Sequence, residues 1–184
     1  MKHTLIATVE NKPGVLNRVA SLFRRRNFNI NSLNVGRTEL PEVSRMTIVV
    51  ESRDTEARKV EANLYKLVNV IDVQDVTNQP AVLTELALIK LEVEPTKRGE
   101  VVSLAGIFNA QVVDVGQDTL IVQLVDSEER VDSLIELLRP YVLEIVRTGH
   151  VAMMRGRADG VRHTPGAGPH LNGYHKKSIA NDFG

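Results

Sequence analysis

The sequence predicts an α+β protein that consists of two consecutive βαββαβ units and a C-terminal tail. Three observations predict this class. Segments in which apolar and polar residues alternate are separated by segments in which apolar residues recur at helical spacing. The same order of elements occurs twice along the chain, and the periodicity stops near residue 155. A chain of 184 residues has room for two small domains of this kind.

The first unit is predicted over residues 1–77. Its first strand covers Thr4–Glu10, and the cluster Asn11–Gly14 forms a turn. A helix follows, and Asn27 ends it because asparagine tolerates the left-handed conformation of a helix stop. The apolar residues on one face of this helix are Val15, Leu16, Val19, Leu22 and Phe23.

The rest of the first unit contains two strands, a helix and a final strand. Alternating apolar residues mark the two strands, and these are Leu33 and Val35, then Met46, Ile48 and Val50. Asp54 can cap the second helix. The predicted apolar face of that helix consists of Ala57, Val60, Leu64, Leu67 and Val68. Residues Val70–Val76 form the fourth strand.

The second unit is predicted over residues 84–155 and repeats this order. Its strands are marked by alternation at Ala87, Ile89, Leu91 and Val93, at Val113 and Val115, at Leu120, Val122 and Leu124, and at Tyr141, Leu143 and Ile145. Its helices carry apolar faces formed by Val101, Leu104, Ala105 and Phe108, and by Val131, Leu134, Ile135 and Leu138. Gly116–Asp118 is a tight turn between two strands, and Pro140 stops the last helix.

Thr77–Pro80 separates the units, and residues 156–184 differ in composition from both. This segment holds six of the twelve glycines and three of the five histidines, so it is predicted to be a mobile tail. Each βαββαβ unit can close as a four-stranded antiparallel sheet with two helices on one face, a ferredoxin-like sandwich. That architecture serves many functions and names none of them.

Composition excludes several classes of function. The 23 basic and 23 acidic residues give zero formal charge, which disfavours a general nucleic-acid binder. The chain has no cysteine, so thiolate zinc sites and cysteine nucleophiles are excluded. No apolar run reaches the roughly 18 residues of a membrane span. The N-terminal residues lack a signal-peptide pattern, so we expect a soluble, cytoplasmic protein.

The sequence contains no catalytic or metal-binding motif such as GxSxG, HExxH or GxxxxGK[ST]. Glu92 and Glu94 share a strand face, and their alternation with apolar residues favours a solvated surface over an acid–base pair. Arg24–Arg26 could contact phosphate, but cations at a helix end also match the helix dipole. We therefore predict no catalytic residue and no metal site.

The segment Asn11–Leu16 is the strongest candidate for binding a ligand. Gly14 stands where the first helix begins, and the free N–H groups of a first helical turn favour an anion. Asn11 adds an amide, and Val15 and Leu16 add apolar surface. A free amino acid would fit these groups. An ordinary strand-to-helix turn that binds nothing remains the alternative from composition alone.

Longer motifs resemble one known family, the regulatory (small) subunit of acetolactate synthase, also called acetohydroxyacid synthase. The resemblance covers about residues 2–158 and begins with an ACT-domain effector loop. Its motifs in the first unit are Asn11-x-Pro13-Gly14-Val15-Leu16, Arg18-Val19-x-x-Leu22-Phe23, Asn27-Phe28-Asn29-Ile30-Asn31-Ser32-Leu33 and Ser44-Arg45-Met46-Thr47-Ile48. Those in the second unit are Leu88-Ile89-Lys90, Ile107-Phe108-x-Ala110-Gln111-Val112-Val113-Asp114-Val115 and Arg147-Thr148-Gly149.

The resemblance implies a non-catalytic subunit that binds no cofactor itself. In the family, the large catalytic subunit carries thiamine diphosphate, Mg²⁺ and FAD, and it condenses pyruvate with pyruvate or 2-oxobutanoate on the route to valine, leucine and isoleucine. The small subunit raises that activity and confers feedback inhibition, commonly by valine. ACT domains pair as a homodimer with the effector at their interface. The implied effector-binding residues are Asn11, Gly14, Val15 and Leu16 from one chain and Asn29 and Ile30 from the other.

The chain departs from the family at position 27, where asparagine stands in place of the usual glycine. Because asparagine tolerates positive φ, we expect the turn to survive. Two other functions stay open. The chain could be a free-standing ACT-type amino-acid sensor that regulates another enzyme. It could also be an RNA-binding module, although the strand Val43–Val50 lacks the aromatic residues on which that fold stacks bases.

The neutral total charge is a sum of unlike parts. Residues 1–80 carry 12 basic and 9 acidic groups, whereas residues 81–155 carry 7 basic and 12 acidic groups. The sequence therefore predicts a basic first unit and an acidic second unit, which suits them to different partners.

Overall fold

The structure is a computed structural model that describes residues 1–51 and 54–156. These residues form two compact units. The first unit contains Met1–Val82 and the segment that begins at Ala152, and the second unit contains Leu83–Val151. None of the helices in the described ranges is long and apolar enough to cross a membrane.

The first unit is the predicted βαββαβ sandwich. Its elements are β1 (Lys2–Glu10), α1 (Val15–Arg25), β2 (Ile30–Arg37), β3 (Val43–Glu51), α2 (Asp54–Leu64) and β4 (Val70–Asp75). The sheet has the strand order β2-β3-β1-β4, and every pair is antiparallel. The order confirms the prediction that this unit closes as a split βαβ motif. It also leaves β2 and β4 at the two edges.

The hydrophobic core of the first unit lies between the sheet and its two helices. Phe23 of α1 is fully buried there, and its ring meets Phe28 edge to face with 6.4 Å between centroids. The buried core residues from the strands include Leu5, Ala7, Val9, Met46, Ile48, Val50, Val70 and Val73, and those from the helices include Val15, Val19, Val60 and Leu64. The predicted alternation of β3 is therefore correct for Met46, Ile48 and Val50.

The second unit repeats the arrangement, as predicted. Its elements are β5 (Ala81–Glu92), α3 (Arg98–Ile107), β6 (Gln111–Val115), β7 (Thr119–Asp126), α4 (Glu128–Leu138), the 3₁₀ turn Arg139–Tyr141 and β8 (Val142–Arg147). A last strand, β9 (Val151–Met154), begins at the final residue of this unit. The strand order is β6-β7-β5-β8, and β9 also pairs with β5. Its own core gathers the alternating residues of β5 and β7 against α3 and α4.

The first helix of each unit ends in the same way. Asn27 has φ 57° and Asn109 has φ 56°. After α1, Phe28 N–H donates to Phe23 O at 3.0 Å, and Asn27 N–H donates to Arg24 O at 3.1 Å. This is the Schellman arrangement, in which a left-handed residue satisfies the last helical carbonyls. The expectation that asparagine at position 27 preserves the turn is confirmed.

Two features differ from the predictions. The helix α2 ends at Leu64, so the predicted apolar face does not continue to Val68, which is 83% exposed. After the helix, Lys66 N–H donates to Asn63 O and Leu67 N–H donates to Leu64 O. This i to i−3 pattern is tighter than that of an α-helix, so the residues that follow no longer lie on the apolar face of α2. The prediction for Val68 is therefore wrong.

The second difference is the strand β9, which the sequence did not predict. Ala152 N–H donates to Thr47 Oγ1 at 3.3 Å, and Arg45 Nη2 donates to Ala152 O at 3.2 Å. Residues 152–156 therefore group with the first unit by their contacts. The predicted end of the second domain at residue 155 stays a prediction. Of the predicted tail, residues 157–184 lie outside the described residues.

Candidate effector-binding site

The loop between β1 and α1 ends at Gly14, the N-cap residue of the helix. Its backbone has φ 83° and ψ −7°, a left-handed conformation that residues with side chains disfavour. Apart from its chain neighbours, no heavy atom lies within 4 Å of the position that a Cβ would occupy. Glycine is therefore favoured here by backbone geometry, and the space in front of it is open.

The first turn of α1 presents free hydrogen-bond donors. The first i to i−4 bond of the helix runs from Arg18 N–H to Gly14 O at 3.0 Å. The N–H groups of Leu16 and Asn17 precede it and have no acceptor within the helix, and the N-cap residue makes no side-chain capping bond. Because the helix dipole also favours negative charge at this end, the turn can accept a carboxylate.

Asn11 is held beside this turn by the loop between β2 and β3. Its side-chain Nδ2 donates to Pro41 O at 2.8 Å, and its backbone N–H donates to Glu42 O at 2.7 Å. These two bonds orient the amide and leave Oδ1 as the remaining acceptor. An ammonium group near the helix N-terminus could donate to that oxygen.

The two aliphatic residues of the predicted site differ in burial. Val15 is 4% exposed and belongs to the core of the first unit, whereas Leu16 is 45% exposed. The apolar contact that was predicted from both residues is therefore available mainly from Leu16.

Asn29 and Ile30 lie far from the loop within one chain. Ile30 begins β2 and pairs with Val50, which pairs with His3 near the start of β1. Asn11 follows the far end of β1. Eight residues of strand at about 3.3 Å each separate the two places by roughly 26 Å. A site that uses both groups therefore needs a second copy of the chain.

A polar network borders the loop. Asn69 Nδ2 donates to Glu10 Oε2 at 2.5 Å, Lys12 Nζ lies 3.2 Å from the same oxygen, and Arg18 Nη1 donates to Asn69 Oδ1. The hydrogen bond from Asn69, followed by that from Lys12, lowers the pKa of Glu10. The network fixes the end of β1 from which Asn11 extends.

The sequence gives no local signal for this network, because its members are distant along the chain. Asn69 is a single polar residue before β4, and only the pairing of Val9 with Val70 brings it beside Glu10. No motif or periodicity marks such a contact. A prediction of the β1–β4 register would have been the one signal that could find it.

The other predicted chemical groups are placed as follows. Glu92 and Glu94 are exposed, and Arg24–Arg26 are exposed at the C-terminal end of α1. In the part of the chain that the structure describes, no group of three or more His, Cys, Asp or Glu residues is arranged to hold a metal ion.

Comparisons with known proteins match both units. A family model described as the small subunit of acetolactate synthase matches residues 84–156. A second model, described as an AHAS small subunit-like ACT domain, matches residues 5–72. The solved structure of the acetolactate synthase small subunit from Thermotoga maritima is similar, with a TM-score of 0.80 and 38% identity over 86% of this chain and 99% of that one.

Curated relatives lead to the same family. A probable acetolactate synthase small subunit from Archaeoglobus fulgidus is 51% identical over 85% of this chain and 98% of its own length. The acetolactate synthase small subunit of Bacillus subtilis is 43% identical over 85% of this chain and 92% of its own length. The family recognised from the sequence motifs is thus confirmed, and the chain belongs to the acetolactate synthase small subunits.

Proposed function

We propose that this chain is the regulatory partner of an acetolactate synthase catalytic subunit, and that a branched-chain amino acid, valine foremost, binds at its β1–α1 loop. The observation that carries the proposal is the fixed amide of Asn11 beside the open N-terminus of α1. Thiamine diphosphate, Mg²⁺ and FAD would lie on the catalytic subunit. This chain would raise the activity of that subunit and transmit feedback inhibition to it.

The loop offers a complementary group for each part of the effector. The carboxylate would accept hydrogen bonds from the N–H groups of Leu16 and Asn17, in the space in front of Gly14. The ammonium group would donate to Asn11 Oδ1. The exposed Leu16 side chain would contact the aliphatic group. Since one methylene changes affinity by only about 1–3 kcal/mol, related amino acids should bind with graded affinity.

The second wall of the site would come from another copy of the chain. The strand β2 is a sheet edge, and Val35 on it is 42% exposed. Two such edges can pair in antiparallel fashion about a two-fold axis. Arg37 of β2 pairs with Ser44, which pairs with Val9, so this end of β2 lies level with the loop. Antiparallel pairing would bring Asn29 and Ile30 of the second copy to that level.

Feedback inhibition requires that the effector bind two states of the assembled enzyme with different affinity. A coupling free energy of about 1–3 kcal/mol is typical of such regulation. An effector that bridges two chains is suited to this task, because it stabilises one relative arrangement of the chains over others.

Reconstitution tests this function directly. The full-length chain is mixed with the catalytic subunit of the same organism, and acetolactate formation is measured with and without valine. We expect the chain to increase the rate and valine to reduce it again. Catalytic subunit alone is the control for valine acting elsewhere. Failure of the chain to associate with or activate the catalytic subunit would favour a free-standing ACT-type sensor and contradict the proposal.

A further inference from the structure

A groove of about 550 Å³ lies between α1 and the end of α2, on the helical side of the first unit. Four cationic side chains line it, and these are Arg18, Arg25, Arg26 and Lys66. Leu22 and Leu67 supply apolar surface. Within the described residues, no carboxylate lines the groove. Asn17, whose backbone N–H is one of the proposed donors to the effector, also lines the groove, whereas Asn11, Gly14 and Leu16 do not.

Two of the arginines are held in place without losing their charge. Arg26 Nη2 donates to Asn63 Oδ1 at 3.3 Å, and Asn63 is itself fixed by a 2.6 Å bond from its Nδ2 to Lys59 O. Arg18 Nη1 donates to Asn69 Oδ1 in the same manner. Amide oxygens orient a guanidinium but do not neutralise it, so the positive potential remains available to a ligand.

The other two cations are also uncompensated. Arg25 and Lys66 are exposed and form no ion pair with any residue that the structure describes. The carboxylate of Glu10 accepts a hydrogen bond from Asn69, which in turn contacts Arg18 of the groove. That carboxylate is paired with Lys12 Nζ at 3.2 Å. Matching of the helix dipole explains cations in the last turn of α1. It does not explain Arg18 in an earlier turn or Lys66 after the end of α2.

We propose that this groove binds a small organic anion that carries a diphosphate or triphosphate group. Its volume lies within the range of small-molecule sites, about 300–1,000 Å³. Arginine forks recognise phosphate oxygens in pairs, and several converging cations match a polyphosphate better than a single carboxylate. Arg25 and Arg26 of the arginine triplet, for which the regulatory function gives no role, would then bind this anion.

Calorimetry with inorganic triphosphate tests the site in the full-length chain at fixed ionic strength. Arg25→Gln combined with Lys66→Gln removes two groove cations that make no ion pair with a described residue, so the fold should persist. Arg24→Gln combined with Lys59→Gln is the matched control, because it removes the same charge from exposed positions outside the groove. We expect the groove variant to lose about tenfold or more in affinity and the control to change by less than about threefold.

Citrate provides a second comparison, because it carries its negative charge on carboxylates and not on phosphate groups. Triphosphate should bind at least about tenfold more tightly than citrate if phosphate recognition governs the groove. Equal affinity for the two anions would overturn the proposal, as would equal losses in the two double variants. Absence of saturable binding at millimolar triphosphate would overturn it as well. Thermal melts of both variants exclude unfolding as the cause.

Discussion

Gly14 combines two properties in one residue, a positive φ and open space in front of its Cα. The first property restricts which residues can replace it, and the second leaves room for a ligand. Asparagine and aspartate both tolerate the left-handed conformation and have nearly the same size. The pair therefore separates the effect of charge from the effect of backbone strain at this position.

Gly14→Asp should abolish feedback while activation of the catalytic subunit persists. The new carboxylate would occupy the place of the effector carboxylate and repel it. We expect valine affinity to fall about tenfold or more, which corresponds to roughly 1.4 kcal/mol. Gly14→Asn is the matched control and should bind valine within a few-fold of the unmodified chain. Unchanged valine affinity of Gly14→Asp in calorimetry would remove the loop from the effector site.

Glu10 is predicted to make stability depend on pH through its contacts with Asn69 and Lys12. Because these contacts lower its pKa below the ordinary value of 4.5, its stabilising contribution is present above that pH and is lost as the pH falls through the lowered pKa. Asn69→Ala should raise the pKa of Glu10, and Lys12→Gln should raise it less, since the Asn69 bond is the larger cause. Carbon-detected NMR titration of the Glu10 carboxyl measures both. A larger shift in Lys12→Gln would contradict the assigned order.

At the scale of elements, α1 and β2 carry the surfaces of the first unit that are proposed to bind other molecules. The helix has free N–H donors at its N-terminus, and its residues Arg18 and Arg25 line the cationic groove along its length. The strand β2 is a sheet edge with a partly exposed valine, and such edges favour pairing with another chain. Both elements therefore have backbone hydrogen-bonding groups that find no partner within the helix or the sheet itself, at the N-terminus of α1 and along the edge strand β2.

Val35→Lys should weaken the proposed dimer because it places a charge on the pairing edge. Val68→Lys is the control, since Val68 is even more exposed and does not lie on β2. Sedimentation analysis over a range of protein concentrations should show an increased dissociation constant for the first variant alone. If both variants dimerise as the unmodified chain does, the interface lies elsewhere.

Most elements could be predicted because local periodicity and helix-stop chemistry determine them. Asn27 is an example, because its left-handed φ follows from a residue preference that the sequence displays. The prediction for Val68 was wrong because the spacing of apolar residues does not indicate that α2 ends at Leu64 in a tighter turn. The strand β9 was missed because its contacts with Thr47 and Arg45 connect residues more than 100 positions apart.

The candidate site was predictable only in part. Asn11 and Gly14 are close in sequence and also close in space, so the loop could be identified from its own residues. Val15 is buried and Leu16 is exposed, although both lie on the predicted apolar face of α1. The spacing of apolar residues in α1 does not show which of the two packs against the sheet. The contact between Asn69 and Glu10 depends on strand register. Both the burial of Val15 and the contact between Asn69 and Glu10 depend on tertiary structure, which local sequence patterns do not determine.

At the scale of the whole molecule, the two units have similar topology and opposite charge. Residues 1–80 have an excess of basic groups and residues 81–155 an excess of acidic groups. All the candidate effector residues and the cationic groove belong to the first unit. We expect the acidic second unit to favour a partner with a basic surface, because electrostatic complementarity suits the two units to different partners.

Asn11 and Asn29 lie at opposite ends of one sheet, so two defective chains can complement each other. Chains with Asn11→Ala and chains with Asn29→Ala should each fail to bind valine as pure dimers. In a mixed dimer, one site receives both substitutions and the other receives neither. Random reassociation of equal amounts should therefore restore about a quarter of the sites, measured as binding stoichiometry. A site contained within a single chain would yield no recovery.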